Sequence, residues 1–262
     1  MTETAAQPES DSIIQVRDFS AAYGGRTVLR DVNFDVRRGE VFVIAGGSGC
    51  GKSTMLFHMI GLYRPAAGRI LIDGDDIHAA RGRELNRIRR KFGVAYQSGA
   101  LFGSLTVLEN VRLPMEEFTD LTSDQMDMIA LSKLKLVDLE GSAQKLPSEL
   151  SGGMQKRAAL ARAISLDPQI VFLDEPSAGL DQLIVDLSRM LKTTFVIVTH
   201  ELPSIFTIAD RVVVLDAATK TVVAMGDPAN LRDTSPNRWV RAFFNREPSG
   251  APKQATERSR QR

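Results

Sequence analysis

The strongest chemical signal in the chain is Gly46-Gly47-Ser48-Gly49-Cys50-Gly51-Lys52-Ser53-Thr54. It follows an apolar run, residues 41–45, and leads into Met55-Leu56-Phe57-His58-Met59-Ile60, which predicts strand, glycine loop and helix. The spacing G-x-x-x-x-G-K-[ST] is that of a phosphate-binding loop, or P-loop. Glycines let backbone N–H groups close around phosphate oxygens, and the helix start aims its positive dipole end at the same oxygens. Lys52 adds a point charge for the β- and γ-phosphates, and the Ser53 hydroxyl can ligate Mg²⁺. Cys50 sits at the helix N-terminus. That setting is expected to favour its thiolate, unless it is only a small residue filling a variable loop position.

Hydrolysing a nucleoside triphosphate also needs a Mg²⁺ site, a base for water and a sensor of the γ-phosphate. The apolar run 170–173 leads into Asp174-Glu175. A carboxylate at the end of a parallel strand lies where such sheets place ligands, so Asp174 is expected to hold Mg²⁺ and Glu175 to act as general base. The run 195–198 leads into Thr199-His200 in the same way. An imidazole there can hydrogen-bond the γ-phosphate or the attacking water, whereas His58 and His78 read as structural. Gln97, after the short strand 94–96, can donate and accept and so can touch both Mg²⁺ and water. Leu150-Ser151-Gly152-Gly153-Met154 is a second glycine turn at a helix start, hence a second device facing phosphate. Two such devices in one chain are expected to serve different nucleotides.

The rest of the chain must position these groups. Residues 13–37 alternate apolar and polar with Gly24-Gly25 between, which predicts a small antiparallel sheet. Within it Tyr23 is either a half-buried strand tyrosine or a stacking surface for adenine. Residues 68–74 read as a strand ending in an Asp-Gly turn, and residues 81–90 as a very basic helix. The face of that helix is either solvated or in contact with phospholipid headgroups or a partner. Residues 98–168 lose strand patterning. They predict a helix from Thr106 ended by Pro114, another over 123–136 started by Thr122 and Gln125, and a third from Gly153 to about Leu166. Strands return at 170–173, 195–198, 212–215 and 221–225, and a helix is expected near 236–244. Residues 1–12 and 247–262 are too polar to fold and flank a single domain over 13–246.

Among 262 residues, 33 Lys and Arg against 32 Asp and Glu give a net charge of +1, so no strong field points to nucleic acid. No apolar run approaches the roughly 18 residues of a membrane span, and the first residues lack a signal-peptide pattern. The single cysteine excludes an internal disulfide and fits a reducing compartment.

In this order the motifs resemble those of the ATP-binding subunits of ABC transporters, over roughly residues 13–235. The resemblance implies a P-loop α/β ATPase with an antiparallel β subdomain and a helical subdomain, using ATP and Mg²⁺. It implies a homodimer in which the LSGGQ-type signature of one copy, here Ser151-Gly152-Gly153-Met154 with Met154 in place of the usual Gln, closes on the γ-phosphate held by the other. Tyr23 falls at the adenine-stacking position and Gln97 in the Q-loop. Residues 170–175 match Walker B plus the base, 177–181 the D-loop with Asp181 at the nucleotide interface, and His200 the H-switch.

Residues 96–102, 107–114 and Met154 are similar to the ATPases of Mla/Mce-type lipid transporters. This implies a hydrophobic cargo such as phospholipid, a separate membrane permease, a lipid-binding MCE-type subunit and a small accessory subunit. The implied location is the cytoplasmic face of a bacterial inner membrane. A polar-solute importer is the alternative, and a non-transport ABC protein or a non-hydrolysing scaffold are further ones.

One stretch departs from the family. Glu175 and His200 are only 25 positions apart. Related ATPases have roughly seven or eight residues more, about two helical turns. Only residues 182–191 remain for the crossover helix, about 15 Å. Either the chain carries a deletion or residues are missing from the sequence. A true deletion would put D-loop geometry, dimer closure and hydrolysis rate at stake.

Overall fold

The structure, a computed structural model, describes residues 11–246. Ser12 already opens the first strand, so the expected polar lead is shorter by that residue. Residues 1–10 and the expected tail, 247–262, lie outside the described residues.

In chain order the elements are β1 Ser12–Tyr23, β2 Arg26–Arg37, β3 Val41–Gly46, α1 Lys52–Met59, β4 Ala67–Ile72, β5 Asp75–Asp76, α2 Gly82–Arg89 and β6 Phe92–Ala95. The helical stretch follows, with α3 Val107–Phe118, α4 Ser123–Leu136 and α5 Gly152–Ala163. The chain ends with β7 Ile170–Asp174, α6 Asp181–Leu191, β8 Thr194–Val198, α7 Leu202–Ile208, β9 Arg211–Asp216, β10 Thr221–Gly226, α8 Pro228–Thr234 and α9 Arg238–Asn245.

One sheet has the order β10-β9-β3-β8-β7-β6, parallel except for the β9–β10 hairpin, and the other, antiparallel, has the order β2-β1-β4-β5. All six residues of β3 are buried, as a central parallel strand covered on both faces requires. Alternate residues of that strand feed two different cores. Val41, Val43 and Ala45 join the core shared with α3–α7, whereas Phe42 and Ile44 join the one under α1 and the antiparallel sheet.

The register does the positioning. Ile44 lies beside Val198, and Val198 beside Asp174, so β3, β8 and β7 end in one row. The P-loop, His200 and Asp174-Glu175 therefore leave the sheet from the same edge.

Both expected capping boxes are present, Thr106 with Glu109 and Thr122 with Gln125. The expectation that Pro114 ends its helix is wrong: α3 continues to Phe118 with Pro114 inside. A proline there removes one N–H, the donor to the carbonyl of Asn110. Burial of Val107, Leu108 and Val111 before it and Met115 after it holds both halves in one helix. The helix expected to reach Leu166 stops at Ala163, because Pro168 bars helical backbone at Asp167, which sits instead at φ 48°. Helices α7 and α8 were not expected; each opens on a proline in its first turn.

The Asn110 side chain is fully buried. It accepts from the Phe102 N–H and donates to the carbonyls of Phe102, Leu105 and Thr106, tying the loop after Gln97 to α3. Asn110→Ala should lower unfolding free energy by about 1–3 kcal/mol, the cost of leaving buried polar groups unpaired, as read by urea denaturation.

The short crossover closes. Helix α6 begins at Asp181 and ends on Lys192 in left-handed backbone at φ 52°. It joins two adjacent parallel strands that stay in register from Ile170–Thr194 to Asp174–Val198.

Candidate active site

The loop's glycines meet real steric demands. A Cβ on Gly46 would lie 2.3 Å from the Leu215 carbonyl oxygen and 2.6 Å from Cys50 Sγ, so β3 can run this close to β9 only with glycine there. Gly51 caps α1 at φ 102°, a conformation that side chains rarely adopt. Lys52 Nζ donates to the carbonyls of Gly46 (3.1 Å) and Gly47 (3.2 Å), so its ammonium is curled over the loop.

A cavity of about 550 Å³ opens above. It is lined by Val28, Gly46, Gly47, Ser48, Gly49, Gly51, Lys52, Ser53, Thr54, Glu175, His200 and Phe243. Cys50 is the loop residue missing from this lining. It is 1% exposed and packs in the core under α1. Burial pushes its thiol up, outweighing Lys52 and the helix start, so the expected thiolate is corrected to a buried neutral filler.

The structure brings the two expected catalytic groups together. His200 Nδ1 lies 2.9 Å from both carboxylate oxygens of Glu175. An ionised carboxylate only accepts, so Nδ1 carries a hydrogen toward Glu175. Glu175 is itself fixed by left-handed backbone, φ 49°, and by its N–H donating to the Val198 carbonyl at 2.8 Å. Such a backbone outlier needs support from its surroundings, and here the β8 strand end and Lys156, whose Nζ is 3.5 Å from the Glu175 carbonyl oxygen, supply it.

Asp174 is half-buried, and its Oδ1 has no hydrogen-bond partner. Burial and the neighbouring Glu175 charge push its carboxyl up, against Lys52, which favours the ionised form. An orphaned buried acceptor beside a P-loop is what a hard cation would satisfy. Among the described residues no group of three His, Cys, Asp or Glu could hold a metal alone, so a cation here would depend on phosphate oxygens and Ser53 as well. Gln97 shares a small cavity with Asp174, Glu175, Lys156 and Leu180, and Glu175 lines both cavities.

Other expected residues lie apart. Ser151 caps α5, accepting from the Met154 N–H at 3.3 Å. Ser151, Gly152 and Gly153 are exposed, and none of these four residues reaches the P-loop cavity of its own chain. Asp181 starts α6 with a carboxyl that is 9% exposed and raised by burial, and its Oδ1 is unpartnered. Tyr23 is 42% exposed, with its ring 5.8 Å from that of Tyr63 and 6.2 Å from that of His58, on the flank of α1 and outside the cavity lining. His58 and His78 read as structural, as expected: His58 packs among Phe19, Tyr23 and Tyr63, His78 meets the His58 ring edge-on, and burial holds both below the usual imidazole range. Sequence reasoning missed Val28 and Phe243. Helix α9 was expected, but nothing in its pattern ties it to a loop nearly two hundred residues upstream.

The family model for ABC transporters matches residues 29–178, more than half of the chain. The chain belongs to the ABC transporter family. It is an ABC ATPase with the ATP-binding P-loop fold, and no helix of the described residues is long and apolar enough to cross a membrane.

Several relatives are similar over most of its length. It is 42% identical over 240 residues to the probable ribonucleotide transport ATP-binding protein Mkl of Mycobacterium leprae, covering 88% of this chain and 68% of that one. It is 38% identical to the intermembrane phospholipid transport system ATP-binding protein MlaF of Escherichia coli, covering 89% of each chain. With MlaF of Haemophilus influenzae the identity is 37%, over 92% and 93% of the two chains. Among solved structures, the dimeric MJ0796 cassette matches at a TM-score of 0.74 and 32% identity, over 82% of this ABC ATPase and 98% of that chain. MJ0796 has also been solved as a post-hydrolysis dimer bound to ADP and Pi, which matches at 0.73.

Proposed function

We propose that this ABC ATPase hydrolyses ATP at a site completed by a second copy of itself and thereby powers a separate permease that moves phospholipid or another hydrophobic cargo. The observation that carries the catalytic part is the Glu175–His200 pair, both members of which line the P-loop cavity. Glu175 takes the proton of water attacking the γ-phosphate, and His200 Nδ1–H orients that carboxylate. Lys52 exchanges the two loop carbonyls for phosphate oxygens. Mg²⁺, held by Asp174 and Ser53 with Gln97 nearby, would neutralise charge developing on the β- and γ-oxygens. Since Asp174 must lose its proton to bind the cation and its carboxyl is raised, apparent Mg²⁺ affinity should fall as pH drops toward that raised value. Turnover against Mg²⁺ at several pH values checks this; an affinity flat down to pH 4 would place the cation elsewhere.

The exposed Ser151-Gly152-Gly153 helix start has no partner in its own chain, which supports its closing on a second copy's γ-phosphate, with Asp181 at that interface. The dimeric MJ0796 cassette supports the same assembly.

A permease site is supported by an apolar groove of about 370 Å³, lined by Leu62, Phe92, Tyr96, Pro114, Phe118 and Leu166 among others. Its lining includes Tyr96 and Pro114, at the two ends of the 97–114 segment, and the exposed Leu62. Phospholipid as cargo rests on likeness to MlaF over about nine-tenths of both chains. The Mkl relatives, of which this chain spans about two thirds, keep a polar cargo as the second reading. We place the protein on the cytoplasmic face of the inner membrane, with an MCE-type lipid-binding subunit and a small accessory subunit as further partners. Copurification from native membranes with lipid analysis tests this. A permease with a lipid-binding subunit and bound phospholipid is expected, and a solute-binding protein without lipid would favour the polar reading.

A further inference from the structure

Gln97 is exposed, and among the described residues its side chain makes no hydrogen bond, so its place is inherited from the backbone that carries it. That backbone is irregular. The Gly99 N–H donates to the Tyr96 carbonyl at 2.7 Å, closing a turn with Gln97 in its second position. Gly99 follows at φ 75° and Ala100 at φ 45°. For an alanine this left-handed backbone is costly and persists only where the surroundings hold it.

Helix α5 does the holding. Gly99 is buried, and a Cβ on it would lie 3.3 Å from the Gln155 carbonyl oxygen and 3.7 Å from the Ala159 side chain, so the turn rests directly on that helix. About two helical turns beyond Gln155, Arg162 grips the same stretch. Its Nη1 donates to the Ala100 carbonyl and its Nη2 to the Gly99 carbonyl, each at 2.9 Å. Arg162 is half-buried, and among the described residues these are its only hydrogen bonds and it has no carboxylate partner. Burial holds its guanidinium below the usual arginine range. A cation drawn out of water without a counter-charge is costly, and here the two loop carbonyls are all that offsets it. The planar fork matches two adjacent carbonyls in a way that a lysine ammonium cannot.

We propose that Arg162 is a positioning residue for ATP hydrolysis: it fixes the turn that presents Gln97 and acts only through Gln97. This rests on the reading of Gln97 as a group that touches Mg²⁺ and the attacking water. Helix α5 starts at Gly152, so the helix whose start would close on a second copy's γ-phosphate also grips the turn that serves its own nucleotide.

The test is a double-mutant cycle on the full chain. Gln97→Ala and Arg162→Met should each lower ATP turnover by about 10-fold. The double variant should be no slower than Gln97→Ala alone, because the clamp has no effect once the group it positions is gone. Arg162→Lys keeps the charge without the fork and should fall between the parent and Arg162→Met. Binding gives a readout apart from turnover. In the Glu175→Gln background, ATP affinity by calorimetry in EDTA should be the same with and without Arg162→Met. The gain in affinity on adding Mg²⁺ should shrink by about 3- to 10-fold when Arg162→Met is present.

A double variant about 100-fold slower than the parent, the product of the two losses, would make Arg162 merely structural and overturn the assignment. So would an Arg162→Met protein as fast as the parent, or one whose ATP affinity drops equally with and without Mg²⁺. Gln97→Ala as fast as the parent would refute the reading of Gln97 and this proposal with it, leaving the P-loop site intact. Urea denaturation shows which proteins are folded. If Arg162→Met lacks a cooperative transition, Arg162→Lys takes its place in the cycle and is judged by the same additivity.

Discussion

Glu175→Gln should lower ATP turnover by about 10²- to 10⁴-fold, the range that a positioned general base contributes, while ATP still binds. The substitution is nearly isosteric, and the amide oxygen can go on accepting from His200 Nδ1–H, so the 2.9 Å contact and the cavity shape persist. What is lost is the ability to take a proton from water. Phosphate release by parent and variant at equal protein concentration reads the effect. Equal release would sink the role of Glu175 and would move this ABC ATPase toward a scaffold that binds ATP without turning it over. His200→Ala should fall between the two, since it removes the group that orients the carboxylate and leaves the carboxylate itself.

The second large effect falls on binding. Lys52→Ala removes the one ammonium in the cavity lining. With only backbone N–H groups, the α1 dipole and a bound Mg²⁺ left to offset the phosphate charge, ATP affinity should fall by about 100-fold or more. The folded chain itself should tolerate the change, because Lys52 makes hydrogen bonds only to two loop carbonyls. Thermal melting separates the two. Ligand at 100 times its dissociation constant stabilises a fold by about 2.7 kcal/mol, so the parent's melting temperature should rise with ATP and the variant's should not. An ATP-dependent rise of equal size in both proteins would refute the assignment of the P-loop.

Much of this site could be read from residue order because each part obeys a local rule. A buried parallel strand is an unbroken apolar run, and a parallel sheet ends its strands on one edge, so the residues after 41–45, 170–173 and 195–198 had to converge. Capping boxes are equally local, and Thr106 and Thr122 start their helices as the sequence implied. The failures arise where tertiary packing outvotes a local rule. Pro114 breaks isolated helices, but buried neighbours on both sides carry α3 through it. Cys50 stands at a helix start, yet its side chain turns into the core, where burial decides its protonation. Phe243 shows the opposite limit: α9 was legible, and its place over the P-loop is set by aromatic contacts with α7, for which sequence spacing holds no signal.

The shortened crossover after Asp181 bears on function more than on folding. Helix α6 spans adjacent strands without breaking their register, so the core is complete. Asp181 then sits buried with one carboxyl oxygen unpartnered, on the segment that the composite-site reading places at the dimer interface.

That composite site is the central claim, and the mass of the Glu175→Gln protein in saturating ATP tests it most directly. By light scattering after size exclusion, the variant should run near twice the chain mass of 28.7 kDa with ATP and at the single mass without it. Adding Gly152→Glu, which sets a carboxylate where the second γ-phosphate would lie, should return it to the single mass while ATP remains bound. A single mass in saturating ATP for Glu175→Gln alone would contradict the account.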